Sequence, residues 1–190
     1  MPVTRRLRIN APSDPVLTQG LADIRGRMRL PDAFPPEVEA AARDAAASVK
    51  LPDLDRTDIP LLTIDPPGSM DLDQAMHLER NGDGYRVHYA IADVASFVAP
   101  GGAIDLEANR RGETLYGIGH TIPLHPRILS GGAASLLPDQ LRPALLWTID
   151  LDADGAKIRA EVQRARVKSR QRCDYDGVQA DIDAGKADPM

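Results

Sequence analysis

The densest chemistry in the chain lies in Thr63-Ile-Asp-Pro-Pro-Gly-Ser-Met-Asp-Leu-Asp-Gln74. Three carboxylates, Asp65, Asp71 and Asp73, fall within nine residues. Asp65 ends an apolar stretch, and the Pro-Pro-Gly that follows can fold the chain back. Asp71 and Asp73 are two apart, so in extended chain they share a face. Such a loop can bring three carboxylates to one point. Like charges at that spacing repel, so the cluster calls for a cation or a proton. Hard oxygen donors with no His or Cys among them suit Mg²⁺ or Mn²⁺ rather than zinc. A few carboxylates around Mg²⁺, with water positions left open, is the usual arrangement for cleaving or transferring phosphoryl groups. Spacing alone leaves a second reading open, in which acids in a turn act as caps and solvated side chains.

A basic stretch runs from Lys157 to Arg172, with Lys or Arg at 157, 159, 164, 166, 168, 170 and 172 against Glu161. Arg164, Arg166, Lys168, Arg170 and Arg172 alternate at strand period. They can present a row of cations to phosphates, or a solvated strand face. Asp150-Leu-Asp-Ala-Asp-Gly155, with Glu161, fits the spacing of an EF-hand calcium loop. Its flanks, Leu145 to Ile149 and Ile158 to Val162, read as strands, whereas an EF-hand needs helices. A hairpin turn is the better reading. His77, His88, His120 and His125 have no carboxylate partners at metal-binding spacing and are taken as ordinary.

These residues must be positioned by a protein of 190 residues, with 43% hydrophobic and 27% charged side chains, a globular composition. The net charge of −5 excludes a general basic coat as the only means of binding nucleic acid. One cysteine, Cys173, excludes an internal disulfide framework and a Cys-rich zinc site. No apolar run approaches the ~18 residues of a membrane span, and no signal peptide opens the chain. The reading is a cytoplasmic protein with no membrane contact and no evident obligate protein partner. Only 4% of residues are aromatic, so the core must be Leu, Val, Ile and Ala.

Residues 1–13 read as a strand or a basic arm. Helices are predicted from Ser13-Asp-Pro15 to Met28 and from Glu37 to Val49, then a polar connector from Leu51 to Arg56. Leu61–Ile64, Ala75–Arg80 and Tyr85–Ala92 read as strands, the last two joined by Asn81-Gly-Asp-Gly84 as a hairpin. A short helix follows at Ile104–Arg111, and loops over 117–140. Ala144–Leu151 and Ala156–Val162 form a second hairpin. A last helix spans Asp174–Ala184, with Gly185 as its cap. Helices followed by hairpins give an α+β fold.

The chain resembles the ribonuclease II/ribonuclease R (RNB) exoribonucleases. The likeness runs in order through Thr63-Ile-Asp-Pro…Asp-Leu-Asp73, Val87-His-Tyr-Ala-Ile-Ala-Asp-Val94, Phe97-Val98, Pro100-Gly101 and Asp105-x-Glu-Ala108. It continues in Arg111-Gly-Glu-Thr-Leu-Tyr116, Ile122-Pro123, Leu129-Ser130, Ser135-Leu136, Arg142 and Ser169…Arg172-x-x-Tyr175. The resemblance implies Mg²⁺-dependent, processive 3′→5′ hydrolysis of single-stranded RNA to nucleoside 5′-monophosphates. It implies an RNB-type antiparallel or mixed sheet behind N-terminal helices. Asp65, Asp71 and Asp73 match three acids of the family pattern D-x₅-D-x-D-D, and Asp73 is the one on which cleavage most depends. The fourth position is Gln74, which offers a neutral carbonyl oxygen and removes one negative charge. Tyr116 matches a tyrosine that packs against nucleotides near the 3′ end, and aromatic stacking is tolerant of sequence. Arg111 is a candidate phosphate contact, as are Arg166, Lys168 and Arg170. Asp93 reads as structural. The division expected is an N-terminal helical segment, 1–57, and the N-terminal part of an RNB catalytic domain, 58–190. That segment is too short and too helical for the family's cold-shock modules. The later half of the resemblance is not in the chain, so a fragment of the enzyme or a degenerate member is expected. A non-catalytic RNA-binding protein on the same fold is the rival reading, and a calcium module at Asp150–Glu161 a third.

Overall fold

The computed structural model describes residues 15–186 except 32, 118 and 119. The expected arm at 1–13 lies outside the described residues. Helices α1 (Pro15–Met28) and α2 (Pro36–Ser48) lead into strands β1 (Leu61–Ile64), β2 (Gln74–Asn81) and β3 (Gly84–Ala92). Helix α3 (Ala103–Arg111) and a small hairpin, β4 (Leu115–Gly117) with β5 (His120–Ile122), follow. Strands β6 (Leu141–Leu151) and β7 (Lys157–Cys173) and helix α4 (Tyr175–Asp183) complete the order.

Five strands close into a barrel in the order β1-β2-β3-β6-β7. All neighbours are antiparallel except β1 and β7, which run parallel and close the ring, with Leu61 opposite Ser169 and Ile64 opposite Cys173. The α+β class and mixed sheet follow as the sequence predicts. A barrel of five strands has little interior room. Its inner face is accordingly built from Ala75, Ala90, Ala144 and Ala165, with Leu61, Leu146 and Val167, and Leu72 and Leu136 filling one end. Along the same inward face, two and four residues further on, the lining turns polar. His77, Glu79, His88, Arg86, Thr148 and Asp150 surround a cavity of about 560 Å³ at the opposite end, where Arg86 pairs with Asp150 at 2.7 Å. A second core joins α2, α3 and the turn at Leu129–Ala133 through Val38, Ala42, Phe97, Ile104 and Leu129.

Two elements differ from expectation. The predicted strand at Ala156–Val162 continues to Cys173, seventeen residues in all. Alternation explains it: Ala165, Val167 and Ser169 are buried inside the barrel, so the basic residues between them point outward on the same strand. The region 117–140 is not all loop, because β4 and β5 pair within it, Tyr116 opposite Thr121. At Asp150–Glu161 the flanks are strands. The Asp152 carboxylate accepts from the Asp154 and Ala156 backbone N–H at 3.0 and 2.8 Å, as a hairpin turn requires. The last helix opens on Asp174, whose side chain accepts from Gly177 N–H at 2.8 Å, and Gly185 follows it at φ +63°.

The β2–β3 hairpin has one position that tolerates no side chain. A Cβ on Gly84 would lie 2.1 Å from the Leu151 carbonyl oxygen of β6. Gly84→Ala is therefore expected to destabilise the fold by about 2 kcal/mol or more, read as a lower midpoint in denaturant. An unchanged midpoint would overturn this close approach.

Candidate active site

Burial of one residue organises the acidic loop. Leu72 is 0% exposed and sits in the barrel core, so the flanking Asp71 and Asp73 are turned the other way, toward solvent. The buried Ser135 clamps the loop on both sides of this anchor. Its hydroxyl accepts from Leu72 N–H at 2.9 Å and donates to the Met70 carbonyl at 2.6 Å. Leu136 N–H in turn donates to the Leu72 carbonyl, and Ala92 N–H to the Asp73 carbonyl, both at 2.9 Å. Asp65 is held at the other end of the loop by its N–H on the Cys173 carbonyl, at 3.1 Å, which extends the β1–β7 ladder. Arg172 donates to the Ser69 carbonyl at 3.0 Å, and Arg142 supports Ser135 through its carbonyl at 2.9 Å.

Asp65, Asp71, Asp73 and Gln74 together line a recess of about 180 Å³, with Tyr175 of α4 on one side. The four positions singled out by spacing and resemblance thus share one site. Burial, and then the charge of Asp71, raise the pKa of Asp65 above its ordinary value. Burial, then Asp71 and then Asp65, do the same to Asp73, whose carboxyl is partly desolvated although the residue keeps solvent access. Spacing left open whether the three acids converge; all three line the one recess without closing into a tight cluster. Among the described residues no three His, Cys, Asp or Glu side chains lie close enough to hold an ion between them. Asp65 hangs from the end of β1 while Asp71 and Asp73 hang from the far arm of the turn, and like charges do not draw together. The donor set itself, three carboxylates and an amide carbonyl, is hard, oxygen-only and unfavourably charged as it stands. It fits a divalent cation such as Mg²⁺ whose remaining positions are filled by water and substrate.

Asp71 and Asp73 also form part of a larger cavity, about 860 Å³, whose wall includes Tyr116, Thr121, His125, Arg127 and Ser130. Tyr116 is 78% exposed, so its ring is free to stack and is no core tyrosine. His125, set aside with the other histidines, lies on this cavity.

The cations expected to meet RNA are mostly committed elsewhere. Arg111 is a correction: its side chain is 2% exposed, stacked at 3.6 Å over the Phe34 ring. It donates to Glu107 at 2.8 Å and to the carbonyls of Ala33 and Pro123 at 2.7 and 3.2 Å. A guanidinium so placed ties α3 to the segment before α2 and has no face left for a phosphate. Arg166 pairs with Asp55 at 2.9 Å, an exposed contact that holds the Asp55 carboxyl well below the usual carboxylate range. Arg170 donates to the Thr57 carbonyl. Arg164 pairs at 2.9 Å with buried Asp93, which also accepts from Ser96 at 2.7 Å, the structural role expected of Asp93. Lys168 points outward on β7 and is half-buried. None of Arg111, Arg166, Lys168 and Arg170 lines the cavity that contains Asp71 and Asp73.

Ser135 appears in the sequence only as part of the resemblance, with no role assigned, because a lone serine in a loop carries no periodic signal. Ser135→Ala leaves Leu72 N–H and the Met70 carbonyl without their partner. It is expected to cost about 1–3 kcal/mol, with loss of hydrogen-exchange protection at the Leu72 amide. Unaltered protection would show that the hydroxyl does not hold the loop.

Comparison with known proteins bears on this arrangement. A family model described as RNB domain matches residues 53–189. Ribonuclease R of Acidithiobacillus ferrooxidans is 37% identical over 163 residues, covering 84% of this chain and 37% of that protein. Exoribonuclease 2 of Vibrio vulnificus (strain YJ016) is 35% identical over 138 residues, covering 71% of this chain and 21% of that protein. The apo form of Mycoplasma genitalium RNase R has a TM-score of 0.81 at 28% identity, covering 91% of this chain and 27% of its own. The same enzyme in complex with ribose-methylated single-stranded RNA gives 0.78 at 26% identity, with the same coverage. The chain therefore spans 37% or less of the length of these relatives. The barrel, the acidic loop and the wall bearing Tyr116 all fall inside the matched region, and the chain belongs to the RNB-domain family.

Proposed function

We propose that this chain carries the acidic half of the site of a cytoplasmic, Mg²⁺-dependent exoribonuclease. The reaction is hydrolysis of single-stranded RNA from its 3′ end, releasing nucleoside 5′-monophosphates. The observation that carries this reading is the position of Asp71 and Asp73. They stand between a small recess that also holds Asp65 and Gln74 and a large cavity whose wall presents an exposed, unpacked Tyr116. The recess suits the ion, the cavity is large enough for nucleotides, and the two share carboxylates. Bound Mg²⁺ supplies Lewis-acid activation of water and screening of phosphate charge. Asp65, Asp71 and Asp73 are the residues that would hold it, with the Gln74 carbonyl as a neutral fourth donor. Tyr116 would stack on a base near the 3′ end and keep the strand in line without reading its sequence. Relatives named Ribonuclease R and Exoribonuclease 2, and an RNase R neighbour in complex with RNA, support the substrate class.

Two observations favour a second reading, a non-catalytic RNA-binding member. Gln74 removes a charge, and the three carboxylates are not drawn to a common point. A 5′-labelled single-stranded RNA separates the two. With Mg²⁺, and not with EDTA, the chain is expected to shorten it from the 3′ end, while Asp73→Asn abolishes shortening and keeps binding. Binding without shortening by the unaltered chain would favour the second reading. Equal loss of binding and cleavage in Asp73→Asn would remove the role given to Asp73.

The raised pKa values of Asp65 and Asp73 also predict a pH dependence. A carboxyl whose folded pKa lies above its unfolded value binds more protons in the native state. Its contribution to stability therefore falls as pH rises from the unfolded pKa through the folded one. Without divalent ions the chain is expected to gain stability from these two groups as pH drops below neutrality into that window, while Asp71→Asn raises the melting temperature at pH 7. Mg²⁺ should raise the melting temperature at pH 7 and much less near pH 4. An Mg²⁺ effect of equal size at both pH values would contradict the assignment of the ion to these carboxylates.

A further inference from the structure

The large cavity presents two side chains that the acidic loop does not employ. Arg127 and His125 line it together with Asp71, Asp73 and Tyr116. Arg127 is exposed, and among the described residues its guanidinium has neither a carboxylate nor a carbonyl partner. His125 is half-buried and makes no hydrogen bond among the described residues. Burial holds its pKa below the ordinary imidazole value, so at neutral pH the ring offers one donor and one acceptor.

Electrostatics makes Arg127 conspicuous. A polyanionic strand entering this cavity approaches two carboxylates, Asp71 and Asp73. Other arginines nearby are already engaged: Arg111 under Phe34, Arg142 on the Ser135 and Gly132 carbonyls, and Arg172 on the Ser69 carbonyl. Among the described residues Arg127 is the one arginine or lysine on the cavity wall. A free guanidinium fork matches two phosphate oxygens at once. Beside it, a neutral imidazole matches a hydroxyl that both donates and accepts, and in nucleic acid that hydroxyl is the ribose 2′-OH, which DNA lacks.

Resting on the functional reading above, we propose that Arg127 and His125 form a subsite for the RNA backbone, Arg127 pairing with a phosphate and His125 with a ribose 2′-hydroxyl. The subsite fixes the strand without regard to base sequence, and it distinguishes RNA from DNA at one nucleotide.

The test is fluorescence anisotropy with a labelled single-stranded oligoribonucleotide and the oligodeoxyribonucleotide of the same sequence. Binding is measured in EDTA, so that nothing is cleaved, on the full chain and on Arg127→Ala, Arg127→Lys, His125→Leu and His125→Gln. Arg127→Ala is expected to weaken RNA and DNA alike by about tenfold, and to flatten the logarithmic salt dependence by about 0.7. Arg127→Lys should restore most of the slope. His125→Leu should weaken RNA by about three- to tenfold and leave DNA unchanged, while His125→Gln, which still donates and accepts, retains part of the preference. Circular dichroism melts of each variant confirm the fold. Unchanged affinity and salt slope in Arg127→Ala, with the unaltered chain binding RNA, would overturn the phosphate contact. Equal loss of RNA and DNA binding in both His125 variants would overturn the ribose contact. Failure of the unaltered chain to bind RNA at all would overturn the functional reading, and the subsite with it.

Discussion

The site depends on the burial of Leu72. A strand-like segment places successive side chains on opposite sides, so an apolar residue driven into the barrel forces both of its neighbours out. Leu72 is fully buried and its neighbours are the two aspartates shared by the recess and the cavity. The hydrophobic effect thus orients charges that would otherwise separate. Burial first, and the neighbouring carboxylates second, raise the pKa values of Asp65 and Asp73. The hydroxyl of Ser135, itself buried, and the Arg142 side chain behind it convert that orientation into a fixed geometry.

The basic row on β7 takes on a different meaning in this light. Arg164, Arg166, Arg170 and Arg172 each reach a group outside the strand: Asp93, Asp55, the Thr57 carbonyl and the Ser69 carbonyl. They fasten the loops around the barrel to its longest strand. An exposed ion pair such as Arg166–Asp55 adds little stability, but together these contacts set where the loops lie. Arg172 in particular touches the acidic loop itself.

Much of this was legible in the sequence. The hairpins, the helix cap at Gly185, and the grouping of Asp65, Asp71 and Asp73 follow from local chemistry that acts over a few residues, and the resemblance added Gln74 to that group. What was not legible depends on long-range partners. Arg111 looked like a phosphate contact because nothing nearby in sequence reveals Phe34 and Ala33, which occupy it. The length of β7 was underestimated because, of its inward residues Ala165, Val167 and Ser169, only Val167 is strongly apolar, while basic residues fill the positions between them. The roles of Ser135 and His125 were not legible because they come from what the fold sets beside them.

The parallel pairing of β1 with β7 has a temporal consequence. Residues 61–64 find their second neighbour only at 169–173, after every other strand of the barrel. Contacts of such sequence separation make for slow folding, because the loop must close before the pairing rewards it. On the ribosome, β1 would wait with one edge open until the chain had grown past Cys173. The amide of Asp65 bonds to that same residue, so one end of the acidic loop is fixed only at the last step of barrel closure, and a nascent chain holds its three aspartates around one recess no earlier than that step.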